Sequence, residues 1–211
     1  MKNNFIEAVL FDLDGVLVDA CEWHRIALNE ALNENLGFTI SEDDHFNIYN
    51  GLPTKTKLKM LNLPEEIIEK INHNKQEKTL KIIEKHAILM EEKIELHNFL
   101  KNNNIKIACV TNSINETAKL MLNKTGQFPY MDLLVTNEMV IKNKPDPECY
   151  NYAIDALGAN HERCICVEDS KIGIESASKS KAKFLWKVNN FKEVNKKNYI
   201  EFIEREVLCK Y

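Results

Sequence analysis

The sequence predicts an α/β protein, a doubly wound parallel sheet with an inserted α-helical segment. Three observations carry this. Short apolar runs recur without the strict in-and-out alternation of a half-exposed strand, as expected where helices cover both faces of a parallel sheet. Segments with helical spacing separate these runs, which implies right-handed crossovers. Residues 17 to about 88 break that rhythm and read as helix after helix.

Four runs read as strands: residues 6 to 11 (Ile-Glu-Ala-Val-Leu-Phe), 105 to 110 (Ile-Lys-Ile-Ala-Cys-Val), 132 to 136 (Asp-Leu-Leu-Val-Thr) and 163 to 168 (Arg-Cys-Ile-Cys-Val-Glu). Ala182 to Trp186 is a weaker fifth. Between them, residues 91 to 102 space Ile94, Leu96, Phe99 and Leu100 along one helix face, and residues 114 to 124 do the same with Ile114, Ala118, Met121 and Leu122. Residues 148 to 157 carry Tyr152, Ala153, Ile154 and Leu157, with Gly158 as a stop. In the insert, helices are predicted over 21 to 35, 42 to 49, 54 to 61 and 64 to 85, with Pro53 and Pro64 marking two starts. The predicted division is a core of residues 1–16 and 89–211 and a helical cap of residues 17–88. A lobe hung from the C-terminal end of the first strand sits over the strand ends, where open α/β sheets bind ligands.

The 211 residues suit a core domain with a smaller insert. Apolar residues make up 44% and charged residues 28%, which is ordinary for a globular chain. The net charge of −4 gives no reason to expect nucleic acid or an anionic membrane as partner. The lysine-rich stretch 192–197 reads as a solvated helix face. No segment reaches the roughly 18 apolar residues of a membrane span. Met1-Lys2-Asn3-Asn4-Phe5 leads straight into the first strand without a signal-peptide apolar region, so a cytoplasmic location is expected. The six cysteines (Cys21, Cys109, Cys149, Cys164, Cys166 and Cys209) form no C-x-x-C pair and are expected to be reduced core residues. No internal repeat or low-complexity stretch is present.

Four short motifs lie at predicted strand ends. In "FDLDG", Asp12 and Asp14 stand two apart in extended backbone and so project to the same side. Two neighbouring anions call for a cation beside them, although two aspartates can also simply cap the next helix. In "VTNS", Thr111 and the turn after it can donate to an anionic oxygen, or can serve as a plain cap, since Thr111, Asn112 and Ser113 are all capping residues. In "NKPDPECY", Lys144 sits on a loop stiffened by Pro145 and Pro147; alone, it reads as a surface lysine. In "VEDSKIG", Glu168 and Asp169 end a buried strand with hard oxygen ligands suited to Mg²⁺, while Asp169 or Ser170 could equally cap the helix near Lys171. The four together, in this order, are much less readily coincidental than any one.

The order "FDLDG", "VTNS", "NKPDPECY", "VEDSKIG" resembles the haloacid dehalogenase-like superfamily, from about Ala8 to about Ala182. The helical insert resembles that of the β-phosphoglucomutase and phosphoglycolate phosphatase-like subgroup. The resemblance implies a Rossmann-like core with a helical cap, and a Mg²⁺-dependent phosphatase acting on a small phosphorylated metabolite, a sugar phosphate or phosphoglycolate-like compound, through an aspartyl-phosphate. It implies Asp12 as nucleophile and Asp14 as general acid and base. It places Thr111, Asn112 and Lys144 on the phosphoryl group, and Asp12, the backbone carbonyl of Asp14, Asp169 and Glu168 around Mg²⁺. The alternative is a β-phosphoglucomutase-like phosphotransferase, in which a sugar hydroxyl rather than water accepts the phosphoryl group. The intact residue set argues against a non-enzymatic relative, and Asp14 argues against a dehalogenase proper. Either a monomer or a homodimer is compatible with the sequence.

Two segments depart from the family pattern. Relatives usually carry Pro-Gly where this chain reads Leu89-Met90-Glu91-Glu92-Lys93, and often a small-residue string where it reads Ser180-Lys181-Ala182. In the mutases, basic cap residues hold a second phosphate. Lys55 or Lys57 of "NGLPTKTK" could fill that part, though both read first as solvent-facing. His24 could reach the cleft but reads first as a packed or hinge-lining histidine.

Overall fold

Residues 5–210 are described in a computed structural model of the chain; the lead Met1-Lys2-Asn3-Asn4 and Tyr211 lie outside them. The strands are β1 (Ala8–Phe11), β2 (Lys106–Val110), β3 (Leu133–Val135), β4 (Cys164–Glu168) and β5 (Phe184–Lys187). They form one parallel sheet in the order β3-β2-β1-β4-β5. β1 is central, and its last residue Phe11 is in register with Cys109 and Val167, so the chain emerges between its two neighbours.

Alternate residues of each strand feed opposite faces. Val9, Phe11, Ile107, Cys109, Ile165 and Val167 pack on one face with α5 (Glu91–Asn102), α6 (Asn115–Lys124) and α9 (Lys196–Phe202). Ala8, Leu10, Ala108, Val110, Cys164 and Cys166 pack on the other with α7 (Glu148–Leu157) and α8 (Lys171–Lys179). Burial on both faces explains the continuous apolar runs. The C-terminal α9 and the π-helical turn Ile203–Val207 carry no strong periodic signal, yet Tyr199, Phe202 and Val207 close the first face. Of the stretch 192–197, only its end belongs to α9.

The insert holds α1 (Cys21–Leu36), α2 (Glu42–Asp44), a π-helical turn (His45–Tyr49), α3 (Thr54–Met60) and α4 (Glu65–His86). It has its own apolar cluster, in which Leu28, Ala31 and Leu32 of α1 meet Leu58, Ile68 and Ile71. Pro53 and Pro64 sit at the cap positions, Pro53 just before the predicted start at 54 and Pro64 one residue outside the observed helix, where their fixed φ of −57° and −60° suits the extended lead-in. Gly37 ends α1 and Gly158 ends α7 in left-handed conformation. At the unusual re-entry, Met90 N–H donates to the Thr125 carbonyl, 3.2 Å. The buried Lys93 ammonium donates to the carbonyls of Phe191 and Val194.

Four cysteines are core residues as expected, but Cys21 is only partly buried and Cys209 is exposed. No helix among the described residues is long and apolar enough to cross a membrane.

Candidate active site

The turn after β1 brings the first carboxylates into place. Leu13 C=O accepts from Leu17 and Val18 N–H, both 2.9 Å, and Gly15 N–H donates to Val18 C=O, 2.7 Å. Gly15 has φ +90°, and a Cβ there would lie 2.1 Å from Asp169 Oδ2. A glycine is therefore needed both for the backbone conformation and for the approach of the second acidic motif. Gly173 does the same for Glu168, since a Cβ would lie 2.1 Å from its carboxylate.

Asp12, Glu168 and Asp169 offer oxygens that all lie within 4.8 Å of one another. Into this group reaches Lys144, only 4% exposed and so no surface lysine. Its Nζ is 2.6 Å from Asp12 Oδ1, 2.6 Å from Glu168 Oε1 and 2.8 Å from Val110 C=O. Burial alone would lower the Lys144 pKa, but Asp12 and Glu168 outweigh it and keep the ammonium charged. One cation does not balance the site. Burial, with Glu168, Asp169 and Asp14 against the pull of Lys144, pushes Asp12 well above the usual carboxylate range. Burial and Glu168 push Asp169 up to about 7. Ser170 Oγ accepts from Gly173 N–H, 3.1 Å, and so caps α8, which leaves Asp169 free of that task. Asp169 Oδ1 is buried with no hydrogen-bond partner. Hard oxygens, surplus negative charge and an orphaned acceptor fit a divalent cation such as Mg²⁺.

Asp14 does not join that cluster. Its Oδ1 accepts from His24 Nε2, 2.9 Å, and its Oδ2 from Ser113 Oγ, 3.0 Å. Lys75 Nζ donates to His24 Nδ1, 2.9 Å, so Nε2 carries the ring proton. Burial raises the Asp14 pKa, but His24, Ser113 and Lys75 outweigh it and bring the net below the ordinary value. His24 is itself lowered, by burial and then by Lys75. His24 therefore reaches the cleft, and it is joined there by Ser113, expected only as a capping residue, and by Lys75, which no motif singled out. The contact spans 51 residues of sequence, which no local pattern reports.

Thr111 is buried, and its hydroxyl oxygen accepts from Ser113 N–H, 3.0 Å, leaving its own proton to donate. Asn112 has its side chain occupied. Oδ1 accepts from Lys144 N–H, 3.1 Å, and Nδ2 donates to the Gly51 carbonyl at 2.9 Å and the Lys144 carbonyl at 3.3 Å. Its amide thus links the cap loop to the lysine loop.

A cavity of about 430 Å³ joins these groups, with Asp12, Asp14, Thr111 and Lys144 on the core side and His24, Lys57 and Lys75 on the cap side. Lys57, expected in solvent, is 6% exposed, and burial lowers its pKa to about 8. Lys75 is lowered to about 7 by burial and by Lys57. Lys55 is exposed and pairs with Glu69.

A family model described as haloacid dehalogenase-like hydrolase matches residues 9–187. The chain is 30% identical over 178 residues to a phosphorylated carbohydrates phosphatase of Thermotoga maritima, covering 82% of this chain and 80% of that one. It is 26% identical to a phosphoglycolate phosphatase of Aquifex aeolicus, with 84% and 83% covered. Its fold is similar to the crystal structure of a β-phosphoglucomutase from Clostridium difficile, with TM-score 0.77, 25% identity, and 95% and 100% of the two chains covered.

Proposed function

Because the chain belongs to the haloacid dehalogenase-like hydrolase family, we propose that it is a Mg²⁺-dependent phosphatase of a small phosphorylated metabolite, with Asp12 as nucleophile and residues 17–88 as its cap. The observation that carries this is the acidic group of Asp12, Glu168 and Asp169, the first two buried and sharing the Lys144 ammonium, with Asp12 and Lys144 opening onto the cavity. Relatives named for phosphorylated carbohydrates and phosphoglycolate support a sugar phosphate or phosphoglycolate-like substrate.

Asp12 attacks phosphorus as the ester P–O bond breaks and Asp14 protonates the leaving oxygen, giving an aspartyl-phosphate; water then displaces Asp12 and yields inorganic phosphate, so one hard displacement becomes two easier ones. Lys144 and the Thr111 hydroxyl hold the phosphoryl oxygens, and phosphoryl transfer depends mainly on such positioning and charge neutralisation. Asp12, Glu168, Asp169 and the Asp14 carbonyl would hold Mg²⁺, which supplies positive charge that lets an anionic nucleophile approach an anionic substrate. Asp14, with both oxygens accepting hydrogen bonds, is in the carboxylate form that takes a proton from water in the second half. For the first half it must carry a proton, and an arriving phosphate anion raises its pKa in that direction. Asn112 fixes the Lys144 loop against the cap loop at Gly51.

The test is turnover of p-nitrophenyl phosphate. Mg²⁺ should support it, EDTA should stop it, and Asp12→Asn should abolish it with the fold intact. Activity surviving in Asp12→Asn, or indifferent to chelation, contradicts the assignment. A sugar-phosphate mutase is the second reading. It is favoured by Lys57 and Lys75, two buried cap lysines facing the cavity where a second phosphate could sit. Interconversion of sugar-phosphate isomers faster than release of inorganic phosphate would select it.

A further inference from the structure

Tyr150, in the first turn of α7, is fully buried beside the acidic cluster. Its hydroxyl donates to Glu168 Oε1, 2.6 Å, and lies 3.1 Å from Lys144 Nζ, which stands 4.8 Å above its ring centroid. An ammonium has three protons. The three shortest contacts of Lys144, to Asp12, Glu168 and Val110, account for them, and Tyr150 is the fourth and longest. The principal bond of the phenol is therefore the one it donates to Glu168.

Glu168 is confined on every side that matters. Oε1 receives two short bonds, from Lys144 and Tyr150. Behind it, Gly173 has no room for a Cβ. Oε2 receives only a long contact from Ser170 Oγ, 3.4 Å. We infer that Tyr150 is a positioning residue, whose hydroxyl pins Oε1 of Glu168 beside Lys144 and so leaves Oε2 as the oxygen free for a divalent cation. Without that hydroxyl the carboxylate can turn and give both oxygens to Lys144, a better ion pair and a poorer cation site. This rests on the cation-dependent reading of the same site.

The experiment is Tyr150→Phe, which keeps the ring and removes only the hydroxyl. Mg²⁺ binding to the metal-free chain is measured by calorimetry, Mn²⁺ binding by electron paramagnetic resonance, and the thermal midpoint of the metal-free form in parallel. Cation affinity should fall about 10- to 100-fold, the range seen when a partner of a metal ligand is removed. The metal-free midpoint should hold, as should KM for p-nitrophenyl phosphate at saturating Mg²⁺. Tyr152→Phe, an exposed neighbour on the same helix, should change nothing. Unchanged cation affinity in Tyr150→Phe overturns the inference alone. So does a variant unfolded without metal, because the hydroxyl is then needed for folding rather than for placing the cation. A wild-type chain that binds neither cation overturns this inference and the phosphatase reading together.

Discussion

The two walls of the cavity have opposite electrostatic deficits. On the core side Asp12 lines the cavity, and beside it Glu168 and Asp169 complete an acidic group set against one ammonium; burial with mutual repulsion pushes Asp12 and Asp169 upward. The cap wall carries Lys57 and Lys75, and burial pushes both downward. Asp14 and His24 meet between them. The core lacks positive charge and the cap lacks negative charge. A cation on one side and a substrate anion on the other relieve both. The walls differ because the core builds a fixed site on strand ends, whereas the cap presents charges from helices with their own separate core.

The largest effect expected, Asp12 aside, is from Asp14→Asn, where the two walls meet. It should lower kcat by about 10²- to 10⁴-fold, the usual contribution of a positioned acid or base. A kcat within a few-fold of wild type would remove Asp14 from proton transfer. Gly173→Ala comes next. Its new Cβ must displace the Glu168 carboxylate, so steady-state assays should show activity lost. Denaturant melts should show a stability cost of about 1–3 kcal/mol from overpacking. Full activity would mean that the placement of Glu168 is immaterial.

On the cap wall, Lys57→Met should lower kcat/KM for a substrate with a second anionic group by about tenfold, the ~1.4 kcal/mol of one charged hydrogen bond. It should spare p-nitrophenyl phosphate and raise the thermal midpoint, because it removes a charge that burial disfavours and that has no hydrogen bond or ion pair among the described residues. Equal losses on both substrates would place Lys57 outside second-anion recognition.

The smallest effect is on pH dependence, and its sign differs between the walls. Asp169 binds its proton more tightly folded than unfolded, so stability falls as pH rises from its ordinary 3.8 to about 7. Lys75 binds its proton less tightly folded, so stability rises with pH from about 7 to its ordinary 10.5. Thermal melts of the metal-free chain should show these groups contributing a minimum near pH 7. Mg²⁺ should flatten the acid limb, and inorganic phosphate should fill in the neutral end of the alkaline limb. Limbs insensitive to both additions would show that the two walls are not short of charge.

The contrast also explains what the sequence could report. The strand ends were legible because two-faced burial leaves an uninterrupted apolar run, and a carboxylate that ends such a run has few places to go. Asp12 and Glu168 were singled out that way, whereas Thr111 and Lys144, read alone as a cap and a surface lysine, took their expected roles from the resemblance that the four motifs carry together. The cap was not legible, because its charges are placed by contacts between distant helices, as between His24 and Lys75. Spacing misleads at Lys55 and Lys57: Lys55, three residues before the buried Leu58, should share its side of the helix, yet Lys57 is the buried one and Lys55 is exposed. Tyr150 closes the quoted motif "NKPDPECY", but its bond to Glu168 crosses from α7 to the end of β4 and is visible only in the fold.

The central claim is that the phosphoryl group passes through Asp12. Mass spectrometry of the chain, acid-quenched during turnover with Mg²⁺ and p-nitrophenyl phosphate, tests it most directly. The account predicts one phosphoryl group on the peptide that contains Asp12, more of it in Asp14→Asn, and none in Asp12→Asn. Turnover with that peptide unmodified in every sample, or with the phosphoryl group on another residue, would contradict it.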